Sequence, residues 1–334
     1  MSTAASHGKR GCRQLNKDLN LHLEPAERKR GFALPGRRAT EKVQLFLLGL
    51  PILLLVFIFQ YVPLLGWILA FYNYKPGIPL AKTPFVGLKF FRLLFESGGT
   101  DLINSIVNTL AFFGLNLLTS PLPVIFAILM FEVSSTRFRR FVQTIITLPH
   151  FVSWVIVFSL AFTIFSNDGL LNQILLRMNL IQEPTNLLGN SDAVWVFQTC
   201  VALWKGLGWG TIIYLAAIVG IDQELYDAAA VDGAGRFRKI MHVTVPGVAP
   251  TYVVLLILGI SNILSVGMEQ YLVFYNGLVA DKITVLDLYL YRTGVLGIDY
   301  SYATALGMSK SLIGIVLLFL ANGLAKKVRG QGIV

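Results

Sequence analysis

Charge is scarce in this chain: Asp, Glu, Lys and Arg make up 14% of 334 residues, against 55% hydrophobic. An ordinary soluble domain carries about a quarter charged residues, so a soluble globular fold is excluded and an integral membrane protein is expected. Cysteine is nearly absent. Cys12 lies in a basic N-terminal stretch and Cys200 in an apolar run, so no disulfide and no thiolate metal site are expected. His7, His22, His150 and His242 stand singly with no His-Glu-x-x-His pattern, which leaves zinc chemistry without ligands. No Gly-x4-Gly-Lys-Ser/Thr phosphate loop occurs, and GMSKS at 307–311 lacks the glycine spacing; the chain is not expected to bind or hydrolyse ATP itself. The nucleophile elbow Gly-x-Ser-x-Gly is missing as well, so a membrane enzyme has no motif to stand on.

What charge there is has a sign. The formal net charge is +10, and ten Lys and Arg fall within the first 42 residues. That stretch is too long and too charged for the n-region of a cleavable signal. It is expected to be a basic cytoplasmic tail, 1–42, whose counterion is anionic membrane lipid rather than nucleic acid. Residues 43–334 then form the membrane domain. Apolar runs at 43–71, 103–131, 141–165, 193–220, 246–274 and 302–324 each reach the ~20 residues a spanning helix needs. Six transmembrane helices follow. With the N-terminus inside, the inner segments hold 19 Lys and Arg and the outer ones 7, which puts both termini and the 220–246 loop in the cytoplasm.

That loop is the most informative stretch. Within 220–250, GIDQELYDAAAVDGAGRFRKIMHVTVPGVAP, Asp222 is a helix cap and Glu224 and Asp227 suit the positive end of the helix dipole. Ala228, Ala229 and Ala230 propagate the helix with little bulk. Gly233 accepts the left-handed conformation that ends it. A second short helix is expected over 235–243, and Pro246 opens the next apolar helix from its first turn.

The loop resembles the coupling loop of binding-protein-dependent ABC importer permeases of the maltose-transporter type. The family's Glu-Ala-Ala core, Asp-Gly-Ala, following aromatic and helix-opening Pro match Asp227-Ala228-Ala229, Asp232-Gly233-Ala234, Phe237 and Pro246, with Pro250 behind. Asp227 replaces the usual Glu and shortens its reach, so the acid that pairs with an ATPase is Asp227 or Glu224. FQYVPLLGWILAFYNYKPG, TLPHFVSWVIV, GWGTIIYLAAIVGID and YSYATALGMSKSLIGIVLLFLAN extend the likeness to the branch importing complex, including uronate-containing, oligosaccharides. The match is nearly continuous from Val43 onward. It implies an all-α, six-helix type I importer permease in the bacterial inner membrane. It also implies a second homologous permease, two cytoplasmic ATPase subunits that bind ATP and Mg, and an extracytoplasmic solute-binding protein. No cofactor belongs to the chain itself. The implied coupling residues are Glu224, Tyr226, Asp227, Ala228, Ala229, Asp232, Gly233 and Phe237.

Three charges fall within apolar runs: Lys205, Glu269 and Lys310. A charge at the bilayer centre costs roughly 2.5 to 3.5 kcal/mol on insertion scales, so these groups face protein or water. They line a polar route, form interhelical ion pairs or, for Lys310 near the outer face, snorkel to the interface; the sequence permits each. Trp204, Trp209, Tyr271, Phe274 and Tyr275 offer flat apolar faces that suit a pyranose ring, or serve as interface anchors. The candidate path residues are Lys205, Trp209, Glu269, Tyr271 and Lys310, and Pro121, Pro123 and Pro149 are candidates for bends along it. The competing class is a stand-alone ion-coupled secondary transporter, which commonly carries internal repeats; this sequence shows none.

Overall fold

The computed structural model describes residues 35–96 and 99–329, so the expected tail falls outside the described residues except for 35–42, which open the first helix. The chain packs as two units, divided between Leu64 and Leu65. The first contains α1 (Pro35–Val56) and a π turn, Phe57–Tyr61. A 3-10 stretch, Val62–Phe71, crosses the dividing point. The second unit carries α2 (Lys89–Glu96), α3 (Gly99–Thr119), α4 (Pro121–Glu132), α5 (Thr136–Thr147), α6 (Trp154–Phe165), α7 (Leu170–Arg177) and α8 (Val194–Val219). It continues with α9 (Gln223–Val231), α10 (Arg236–Lys239), α11 (Val245–Ser261), α12 (Glu269–Phe274), α13 (Ala280–Ile283), α14 (Leu286–Tyr291) and α15 (Tyr300–Arg329). Among the described residues there is no strand, only one isolated bridge between Tyr72 and Phe85.

Among the described residues, six stretches are long and apolar enough to cross a membrane: Phe46–Phe71, Gly99–Glu132, Trp154–Arg177, Val194–Val219, Arg236–Ser261 and Tyr300–Gly323. Their number matches the sequence reading, but two boundaries need correction. The third span does not begin at residue 141. Pro149 cannot donate to a helical ladder, and the chain makes a 3-10 turn, Leu148–Phe151, before Ser153 caps α6 by accepting from the Ile156 N–H at 3.4 Å. The fifth span ends at Ser261, not at residue 274. Gly267 sits at φ +92, a conformation that L side chains rarely adopt, and α12 is a separate short helix beyond it. Glu269 and Tyr271 therefore lie outside the fifth span.

Two of the buried clusters in the second unit position the candidate site. α4 lies along α8, with Ala127, Tyr214, Ile218 and Val248 forming one buried cluster. Close approach is built into α8: a Cβ on Gly208 would stand 2.2 Å from the Ile146 carbonyl oxygen, and one on Gly210 3.3 Å from Pro123. The larger centre joins Phe112 of α3, Val157 and Ala161 of α6 and Val194 of α8 to Tyr271, Phe274, Val279, Ile283, Val285 and Leu288. The connection between the last two spans thus folds inward rather than over the surface. A buried connection must satisfy its backbone, and helix side chains do so. Asn108 Nδ2 donates to the carbonyls of Asp281 and Thr284, Thr109 Oγ1 accepts from the Leu286 N–H, and Trp195 Nε1 donates to the Lys282 carbonyl. Gln270 Nε2 donates to both the backbone and side-chain oxygens of Gln198. Each such bond contributes about 0.5 to 1.5 kcal/mol net, and leaving its buried partner bare costs more.

Candidate coupling loop and polar path

The loop between α8 and α11 has the two-helix form its residues call for. Asp222 accepts a hydrogen bond from the Glu224 N–H at 3.0 Å and starts α9. At the other end Gly233 takes φ +72, while its N–H bonds the Ala230 carbonyl and the Ala234 N–H bonds that of Ala229. A Cβ on Gly233 would meet nothing within 4 Å, so backbone conformation alone demands glycine there. α10 then passes through a π turn, Ile240–Thr244, into α11, with Pro246 in its first turn.

The loop has two sides. Glu224, Asp227, Ala228, Asp232, Gly233 and Phe237 are exposed, and neither Glu224 nor Asp227 has an ion-pair partner among the described residues. Two more apolar side chains, Leu225 at 54% exposure and Val231 at 88%, join Phe237, itself 75% exposed, at the surface. Leu225 and Val231 were not singled out from the sequence, where they read as ordinary helix residues. Tyr226 and Ala229, one helical turn apart, are only half exposed. Tyr226 does not face outward with the other coupling candidates: its hydroxyl lies 3.0 Å from Thr244 Oγ1 and its ring 6.2 Å from that of Phe131. Arg236 approaches Glu132 at 3.6 Å.

The five path candidates do not form one site. Lys205 Nζ donates to the carbonyls of Pro149, His150 and Val152 at 3.3, 2.6 and 2.7 Å, and lies 5.3 Å from the Trp154 ring. It caps the turn that precedes the third span, supplying donors to carbonyls outside a regular helical ladder. One turn along α8, Trp209 stacks on His150 at 4.5 Å with the rings 4° from parallel, leaving Trp209 47% exposed. Lys310 pairs instead with Asp287 of α14, whose second oxygen accepts from the Gly267 N–H at 3.1 Å. Glu269 is exposed and has no ion-pair partner among the described residues. Tyr271 is a correction: it is 3% exposed and packs on Phe112 at 4.7 Å, so its ring belongs to the core. Burial, and then the nearby Asp287 carboxylate, hold its phenol above the ordinary tyrosine pKa, which keeps it neutral.

Asp287 escaped the sequence reading because it lies between apolar runs rather than in one. The available signal was indirect: a lysine in mid-span needs a carboxylate. Two cavities of about 330 and 270 Å³ share Asn262 and Ser265 in their linings; the first is mostly apolar but carries Asn116, Ser120 and Tyr252, and the second carries Lys310 and Ser311. These hydroxyls and amides were likewise passed over, because uncharged polar residues are common in membrane helices.

A family model for the binding-protein-dependent transport system inner membrane component matches residues 119–330. Protein LplB of Bacillus subtilis (strain 168) is 42% identical over 293 residues, covering 86% of this chain and 90% of LplB. The polygalacturonan/rhamnogalacturonan transport system permease protein YteP of the same organism is 40% identical over 291 residues, covering 86% and 89%. A solved bacterial alginate ABC transporter, in complex with an alginate pentasaccharide-bound periplasmic protein, superposes with TM-score 0.79 at 33% identity. It covers 89% of this chain and 99% of its own. The two-helix loop, the six apolar spans and these likenesses agree: the chain belongs to the binding-protein-dependent transport system inner membrane components, as a multi-pass transport subunit and not an enzyme.

Proposed function

We propose that the chain is one permease subunit of an ATP-driven ABC importer for oligosaccharides, uronate-containing ones among them. The observation that carries the reading is the outward side of the loop, where Leu225, Val231 and Phe237 stand beside Glu224, Asp227 and Asp232. An exposed apolar patch with a charged rim suits a protein partner, and a chain with no phosphate loop must take its ATP-driven work from one. Two ATPase subunits that hold ATP and Mg supply it. A second homologous permease completes the pore, and an extracytoplasmic solute-binding protein delivers the sugar. The excess of Lys and Arg supports cytoplasmic termini and a cytoplasmic loop in a bacterial inner membrane, with 1–42 as a basic, lipid-facing tail and 43–334 as the permease domain.

Closure of the ATPase pair moves the loop as a lever, and the spans above it re-pack to open the route outward. Trp209 offers its exposed face to a sugar ring, and Asn262, Ser265 and Tyr252 offer groups to its hydroxyls. Lys205 and Lys310 hold the broken segments that border this route, and exposed Glu269 lies beside it. The test is affinity purification followed by reconstitution. An ATPase and a second permease should co-purify, and ATP hydrolysis should respond to the binding protein given acidic oligosaccharides. A chain that transports alone, driven by an ion gradient, would refute the reading.

A further inference from the structure

The inner side of the two-helix loop is fastened to two spans at once. Tyr226 turns in from α9 while Leu225 and Asp227 beside it stay exposed. Its hydroxyl meets Oγ1 of Thr244 at 3.0 Å, and Thr244 is only 1% exposed at the end of the π turn leading into α11. Its ring lies against Phe131, the second-last residue of α4, and from α10 Arg236 reaches Glu132, the last.

These contacts are unequal. The Arg236 side chain is 77% exposed, and exposed pairs contribute little. The bond to Thr244 matters more, because losing it leaves a buried hydroxyl without its partner across the loop. Behind Phe131, α4 is locked to α8 and α11 through Ala127, Tyr214, Ile218 and Val248, and a close-packed core transmits a displacement instead of absorbing it. The π turn beneath Thr244 is an irregularity of the kind retained where a helix must shift.

We infer that Tyr226 is a positioning residue, the strut through which movement of the loop displaces the second and fifth spans together. This rests on the loop being the ATPase-coupling element. It also separates roles within one helix: Leu225, Asp227 and Val231 bind the partner, and Tyr226 passes the motion on.

The experiment is a double-mutant cycle in the complete reconstituted complex. A polygalacturonate digest and its carboxyl-reduced neutral form serve as probe sugars. The readouts are ATPase retention, basal ATP hydrolysis and the ratio of binding-protein-stimulated to basal hydrolysis. Tyr226→Phe and Thr244→Val should each lower that ratio roughly two- to twelvefold, the range of one net hydrogen bond, with ATPase retention and basal rate unchanged. The double variant should be no worse than either single, and Thr244→Ser should keep the original ratio. An unchanged ratio in Tyr226→Phe with the ATPase still bound overturns the strut alone, as do single effects that multiply in the double variant. Failure of the unmutated chain to retain an ATPase overturns the proposed function and the strut with it.

Discussion

Replacing Lys310 with Met removes one half of an ion pair that holds three segments together. Lys310 projects from α15 to Asp287 on α14, and Asp287 also accepts the Gly267 N–H just beyond the end of α11. The two side chains are 15% and 18% exposed, so the pair is largely but not wholly withdrawn from solvent. Removing one partner of a fully buried pair costs about 3 to 5 kcal/mol, because the survivor keeps its charge without compensation. Residual exposure lowers that to about 2 to 3 kcal/mol here. Asp287→Asn should cost a similar amount, since a lone lysine stays at membrane depth, where insertion scales charge roughly 2.5 to 3.5 kcal/mol. The combined Asp287→Asn/Lys310→Met variant removes both charges, keeps an oxygen for the Gly267 N–H, and should be more stable than either single. The assay is thermal unfolding of the detergent-solubilised complex, followed by size-exclusion fluorescence, beside sugar uptake. Single variants as stable as the unmutated chain, or a double whose loss is the sum of the two, would show that the pair is not a structural tie.

Other expectations follow from particular contacts. Gly233→Val forces a β-branched residue to φ +72, at a cost of about 1 to 2 kcal/mol. It should leave the chain inserted but abolish ATPase co-purification and uptake; normal retention and uptake together would remove this loop from coupling. Gly208→Ala puts a methyl 2.2 Å from the Ile146 carbonyl oxygen and should lower stability by about 1 to 3 kcal/mol, whereas Gly206→Ala, with open space around it, should not. Melting curves of the two variants decide that point. A cysteine replacing Gly235 should label only from the cytoplasmic side and one replacing Asn276 only from outside, and labelling of both from one side would rule out the six-span topology.

The parts of this fold that were legible in the sequence are those fixed within a few residues of themselves. Asp222, the alanine run and Gly233 each act on their own backbone or the next turn, so the start and stop of α9 could be read directly. Six spans could be counted because hydrophobic length is a local property. The two misplaced boundaries lie at breaks that average hydropathy passes over, at Pro149 and at Gly267. Hydropathy does not distinguish a helix from a buried connection, and within 262–274 Tyr271 and Phe274 pack in the core with Phe112 of α3, Val157 of α6 and Val194 of α8.

Pairing was illegible for the same reason. Lys205, Glu269 and Lys310 looked alike as isolated charges in apolar runs, yet the structure gives them three different situations. Lys205 is satisfied by the carbonyls of the turn at Pro149, which lies just before the third span. Lys310 is satisfied by a carboxylate brought inward only because the connection after α11 folds back. Glu269 is exposed beyond the end of the fifth span, near enough to Lys205 for the two charges to interact without forming an ion pair. Each outcome follows from an interruption of a helix, at Pro149 or at Gly267, and a charge at membrane depth is tolerated where an interruption supplies its partner. In this chain the breaks therefore decide which charged groups are tied into the structure and which stay exposed.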